Sequence, residues 1–233
     1  MAYGLGPARG PAAGSKPTRP GCIVDPTRQE RHMDDRFHRA LAAIDALHAA
    51  DPETWEVGGR REPRALAHAR CVTRWTERLC ETPSEALRLA ARAAHLERWK
   101  VPRTEYPDGR RGYLKWRSVL KRQHAARAAE VLAEAGYEAE TIERVRRIVL
   151  RADLSDPEAQ ALEDALCLTF LERQLADFGG AHAPEKVVEI LRKTWKKMSP
   201  RARALALGLA PELPAGAKAL LEQALDDAEP GTP

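Results

Sequence analysis

From Phe37 to Leu171 the apolar side chains of this chain recur at intervals of three and four residues. That spacing is the stripe a helix buries, and no stretch alternates apolar and polar residues as a half-buried strand does. The stripes read Phe37, Leu41, Ile44, Leu47; then His68, Val72, Trp75, Leu79; then Leu87, Ala91, His95. They continue as Leu120, His124, Ala128, Val131; Ile142, Val145, Val149; and Ala161, Asp164, Leu168, Leu171. Ala, Leu, Arg and Glu dominate and aromatics are only 5%, a mix that favours helix over strand. At 43% hydrophobic residues the chain can fill a core, so a single all-α, multi-helix domain over residues 34–210 is expected.

Turn and cap residues divide this pattern. The first helix starts near Asp34 and ends before Asp51-Pro52. A loop over 55–61 carries Gly58-Gly59, and a second helix covers about 63–79. Thr82-Pro83-Ser84-Glu85 reads as a capping box that opens the helix bearing His95, which stops before Pro102. A long Pro/Gly loop spans 101–112. Further helices run over about 113–135, closed by Gly136, and over 138–151. Asp156-Pro157 opens a helix that is apolar nearly all round and therefore central; Pro184 and Ser199-Pro200 open two more. Residues 1–31, rich in Gly, Pro, Ala and Arg, read as a disordered extension, and 211–233 as a helical tail with a frayed end.

Several classes drop out on composition. No apolar run approaches the roughly 20 residues needed to span a bilayer, so no membrane role is expected. The N-terminus lacks the apolar segment of a secretory signal. The four cysteines (Cys22, Cys71, Cys80, Cys167) show no CxxC spacing, which suits a reduced, cytoplasmic setting. Net charge is +4, with 38 Lys and Arg against 34 Asp and Glu, so most charges belong to solvated helix faces.

Four polar side chains fall on buried stripes: His68, His95, His124 and Asp164. A buried carboxylate is costly unless paired, hydrogen-bonded or bound to a metal. Imidazole and carboxylate groups on the inward faces of separate helices are how helical metal sites are assembled, so a divalent metal held among these four residues is one expectation. The alternatives are a hydrogen-bonded core histidine in each case and an ion-paired structural Asp164. A second constellation is basic. Between Glu97 and Arg127 ten Lys or Arg stand against three acids, interleaved with Trp99, Tyr106, Tyr113 and Trp116; another cluster surrounds Trp195. Such clusters attract phosphate, and Arg98, Arg103, Lys115 and Lys193 are the candidate phosphate-binding residues.

The strings AARAAHLERWKVPRTEYPDGRRGYLKWR, LKRQHAARAAEVLAEAGY, DPEAQALEDALCLTFLE and ILRKTWKKMS resemble the family catalogued as domain of unknown function 4202, over about residues 34–208. A more distant resemblance is to the HD superfamily of metal-dependent phosphohydrolases. HARCV at His68 is similar to its early-His helix, AARAAH at His95 to the helix of its His-Asp pair, and DPEAQALEDALCL at Asp164 to its late-Asp helix. The pair is broken, because Leu96 follows His95. This resemblance implies an HD-like helical architecture and a hydrolase of a phosphorylated small molecule or nucleotide, with His68, His95 and Asp164 holding a divalent metal and His124 as proton donor or further ligand. The alternative, favoured by Leu96 and the abundant Arg, is a non-catalytic protein that binds a nucleotide, RNA or another phosphate-bearing molecule.

Overall fold

The computed structural model describes Met1 and residues 26–226. Among these residues the fold is all-α, ten α-helices with one small hairpin. Helix α1 (Pro26–Ala49) begins ahead of the expected start near Asp34 and turns Phe37, Ala40, Ile44 and His48 inward. The rest of the expected disordered extension, and the expected frayed end, fall on residues 2–25 and 227–233, outside the described residues.

The first correction concerns the loop at 55–61. It is an antiparallel hairpin, β1 (Thr54–Val57) and β2 (Arg60–Pro63), with Trp55 opposite Glu62. Gly58 and Gly59 have φ of 58° and 76°, and a two-residue turn with positive φ at both positions matches the twist of paired strands. Four-residue strands rich in charge carry too little apolar alternation to register as strands in the sequence. Asp51 staples the hairpin at its base: Oδ1 accepts from the Glu53 amide and Oδ2 from the Ala65 amide, each at 3.0 Å.

Helix α2 (Arg64–Leu79) follows directly and packs against α3 (Glu85–Ala93). Ser84 caps α3, its hydroxyl accepting from the Leu87 amide at 3.0 Å. The second correction lies here. The helix ends at Ala93, short of His95, although the helical spacing continues. His95 and Glu97 take left-handed conformations, φ 62° and 53°, and short 3-10 turns follow at Arg98–Lys100 and Arg103–Glu105. Tertiary bonds outweigh local propensity. Glu97 is buried and pairs with Lys100 at 2.5 Å and Arg127 at 3.2 Å, while Leu96 is fully buried.

Helix α4 (Gly109–Glu134) starts four residues before the expected Tyr113 and runs along α5 (Ala139–Leu150). Its Gly112 faces the preceding loop so closely that a Cβ there would lie 1.8 Å from the Pro107 carbonyl oxygen. Helix α6 (Pro157–Arg173) is the hub. It buries Ala161, Leu162, Ala165 and Leu168 and touches α2, α3 and α5. Arg144 of α5 clamps its start through Asp156 and Glu158. Beyond it come α7 (Leu175–Ala181), α8 (Pro184–Lys197), α9 (Pro200–Leu209) and α10 (Ala215–Asp226). Helix α10 packs on α7 and α8 with Ala217, Leu221 and Ala224 buried, so the tail continues the core.

Gly112→Ala therefore forces the loop off α4 and should cost on the order of 1–3 kcal/mol. Denaturant unfolding of the two proteins measures it; an unchanged midpoint would show that the loop shifts without cost.

Candidate functional site

Three histidines from three elements stand in a row. His68 comes from α2, His95 from the left-handed turn after α3, and His124 from α4. The His68 and His95 rings are stacked with centroids 4.8 Å apart, and His95 and His124 are 5.6 Å apart. Trp55 of the hairpin extends the row, 6.3 Å from His68. The turn matters to this arrangement, because a positive φ at a non-glycine residue is uncommon and survives only where its surroundings enforce it.

His124 is oriented by its own hydrogen bond. Its Nδ1–H donates to the Leu96 carbonyl at 2.8 Å. The other ring nitrogen, Nε2, is then a lone pair, and it is buried with no hydrogen-bond partner. Burial pushes the pKa of His124 down to about 3 against the help of the Leu96 carbonyl, and Arg98 and Arg151 push the same way. His68 is also held down to about 3, first by burial and then by Arg98. His95 lies well below its ordinary value, by burial first and then by His68 and Arg98. All three are neutral imidazoles at neutral pH.

The surroundings are positive. Arg98 lies with its guanidinium 4.6 Å over the Trp116 ring. Its pKa is lowered, by burial first and then by Arg64 and Arg117. On the α4 side, Lys121 is pushed down to about 8 by burial first and Arg151 next. Arg151 is buried at the end of α5 with φ 46°, and its Nε donates to Glu163 at 2.8 Å. Lys197 adds a longer contact to Glu163 at 3.7 Å.

The other expected site residues lie elsewhere or are otherwise engaged. Asp164 is buried, and its Oδ1 accepts from Gln160 Nε2 at 2.8 Å and from the Ser199 amide at 3.0 Å. It thus ties α6 to the α8–α9 junction, and none of its bonds reaches a histidine. Arg103 donates to the Tyr106 carbonyl at 2.7 Å within its own loop. Lys193 pairs with Glu189 on exposed α8, and Lys115 is exposed on α4. Trp116 is 7% exposed and donates to the Val101 carbonyl at 2.9 Å, so it serves the core and offers no open face to a nucleic-acid base.

Three contributors escape the sequence reading. His48 is fully buried at the end of α1, its Nε2 on the Arg92 carbonyl at 2.9 Å. It lies four residues after Ile44, which was the available signal. Arg64 follows the hairpin, and Arg151 occupies a left-handed helix end where glycine is the ordinary choice. Among the described residues no group of three or more His, Cys, Asp or Glu is arranged to hold a metal ion. No described helix is long and apolar enough to cross a membrane.

An all-helical domain with a row of neutral histidines among arginines is thus the class of protein defined by fold and site. The chain belongs to the family described as Domain of unknown function (DUF4202), which matches residues 38–221. No curated protein and no solved structure matches it.

The row sets an acid limit on stability. The folded pKa values of His68 and His124 lie below the unfolded value near 6.5, so the unfolded state binds the extra protons. Stability is full above about pH 6.5 and should fall by roughly 1.4 kcal/mol per pH unit for each such group as the pH drops towards 3. Thermal melts from pH 7.5 to 4.5 check this, and His124→Gln should flatten the slope. Asp164→Ala should cost on the order of 2 kcal/mol by freeing the Ser199 amide, at every pH in that range.

Proposed function

We propose that this chain binds a phosphate-bearing small molecule or nucleotide at the histidine row. The unpartnered Nε2 of buried His124, next to His95 and with Arg98 acting on it, carries the reading. A buried lone pair without a donor is costly, and a ligand that brings one relieves it. A phosphate monoester does so in two ways. Its second pKa is near 6, so it retains a proton part of the time and can donate a P–OH to Nε2. Its charge also favours a protonated imidazole, while Arg98 supplies the charge-assisted bonds that planar guanidinium groups make with phosphate. Arg64 and Arg151 add positive potential without contact.

A second reading, an HD-like hydrolase working through a divalent metal, draws on one observation. An imidazole with Nδ1–H on a carbonyl and Nε2 free has the orientation of a metal ligand. The remaining residues do not fit that group. Leu96 is buried where the HD pair needs Asp, Asp164 is bound to Ser199 and Gln160, and the nearby charges are cations. A neutral His124 whose pKa is about 3 is also a poor proton donor at neutral pH.

Calorimetric titration with inorganic phosphate and ribose 5-phosphate tests the binding reading. Affinity should rise as the pH falls from 8 to 6, with proton uptake visible as a dependence of the heat on the buffer's ionisation enthalpy. Arg98→Ala should weaken binding by about tenfold or more, the worth of one charge-assisted contact. Absence of binding would sink this reading. Stoichiometric zinc or manganese in the purified protein, lost together with phosphate release activity in His124→Gln, would favour the hydrolase.

A further inference from the structure

A cavity of about 220 Å³ opens beside the outer end of the row, lined by Trp55, Arg64, Gln174, Asp177 and Phe178. Cavities that enclose a whole small-molecule ligand are larger, about 300 Å³ and upward, so this one has room for a single ring system whose remainder lies outside it. Two of its five walls are aromatic. Phe178 is held edge-on by Phe170 at 5.7 Å and by His182 at 4.3 Å, which fixes its plane. Trp55 is held by Arg64, whose guanidinium lies 5.4 Å over the indole, and by His68. The other three, Arg64, Gln174 and Asp177, can form hydrogen bonds. Gln174 is half-buried and Asp177 exposed at the cavity mouth.

A planar ring with hydrogen-bonding edges fits such walls. Aromatic side chains stack on any base, and the edge groups choose among bases. A carboxylate only accepts, and an amide both donates and accepts. Guanine offers two adjacent N–H donors and a carbonyl on one edge, which this pair can meet; adenine and uracil offer fewer donors to a carboxylate. Arg64 joins the cavity to the row, since it lines the one and acts on His68 and Arg98 in the other.

Resting on the phosphate reading above, we propose that the cavity lined by Trp55 and Phe178 receives the base of a nucleoside monophosphate whose phosphate lies at the His68 end of the histidine row, towards Arg98, with guanine preferred through Asp177 and Gln174. The experiment is a calorimetric titration of the full chain with ribose 5-phosphate, GMP, AMP and UMP. GMP should bind about tenfold tighter than ribose 5-phosphate or better, the worth of one base–aromatic stack. Phe178→Ala should remove that gain and leave ribose 5-phosphate binding unchanged, which also shows that the variant is folded. Asp177→Asn should bring GMP to the level of AMP without touching ribose 5-phosphate. If ribose 5-phosphate binds and all three nucleotides bind no tighter, the base site is overturned and the phosphate site stands. AMP or UMP equal to GMP in the unaltered chain would overturn the roles of Asp177 and Gln174. Failure of every ligand would overturn both proposals together.

Discussion

The bond from His124 to the Leu96 carbonyl holds the two halves of the site to one another. It reaches from α4 to the turn after α3 and so fixes a segment that has left its helix. Two further ties act on the same segment: Glu97 with Lys100 and Arg127, and Trp116 with the Val101 carbonyl. Left-handed residues at 95 and 97 cost conformational energy, of order 1–3 kcal/mol each, and these ties offset it. Without them the helical spacing of the sequence would carry α3 onward and His95 would project from a helix face. With them its ring stacks on His68. The same bond settles which nitrogen of His124 points onward, so a contact made for folding also sets the chemistry of the row.

Charge is the second organising factor. Arg64, Arg98 and Arg151 act on the histidines, and the acids beside the buried segment are already committed. Glu163 is held by Arg151 and Lys197, and Glu97 by Lys100 and Arg127. What remains uncompensated is positive, with Arg98 at its edge. Burial and this field act in the same direction on the imidazoles, and that keeps them neutral in the folded chain.

The helices were legible because their stripes are long and their caps are chemically distinct: Ser84, Asp156 and Ser199 each cap as their side chains dictate. The hub position of α6 was legible from its apolar residues on every side. His68, His95 and His124 were readable as inward polar residues, but their mutual placement depends on a turn that no local pattern announces. Asp164 reads identically whether its partner is a metal or a backbone amide, because a stripe reports burial and not the bonded atom. The hairpin was hidden for a different reason. Its strands are short and charged, and its glycine pair carries the signal alone. Arg64 and Arg151 were missed because their roles follow from a long-range approach of α2, α5 and the 94–101 segment.

Asp51 accepts from the amides at both ends of the hairpin and from nowhere else on it. A lone two-stranded ribbon is marginally stable by itself, so this carboxylate, together with the Arg64–Glu53 and Arg70–Glu62 pairs, helps to hold it closed. When the staple releases, the first turn of α2 loses a partner at the same moment, because Ala65 is one of the two donors. Trp55 and Arg64 therefore leave their places together. In hydrogen-exchange terms, residues 53–65 are expected to open as one unit ahead of the helical core. One wall of the molecule thus has its own small folding equilibrium, separate from the stability of the bundle behind it.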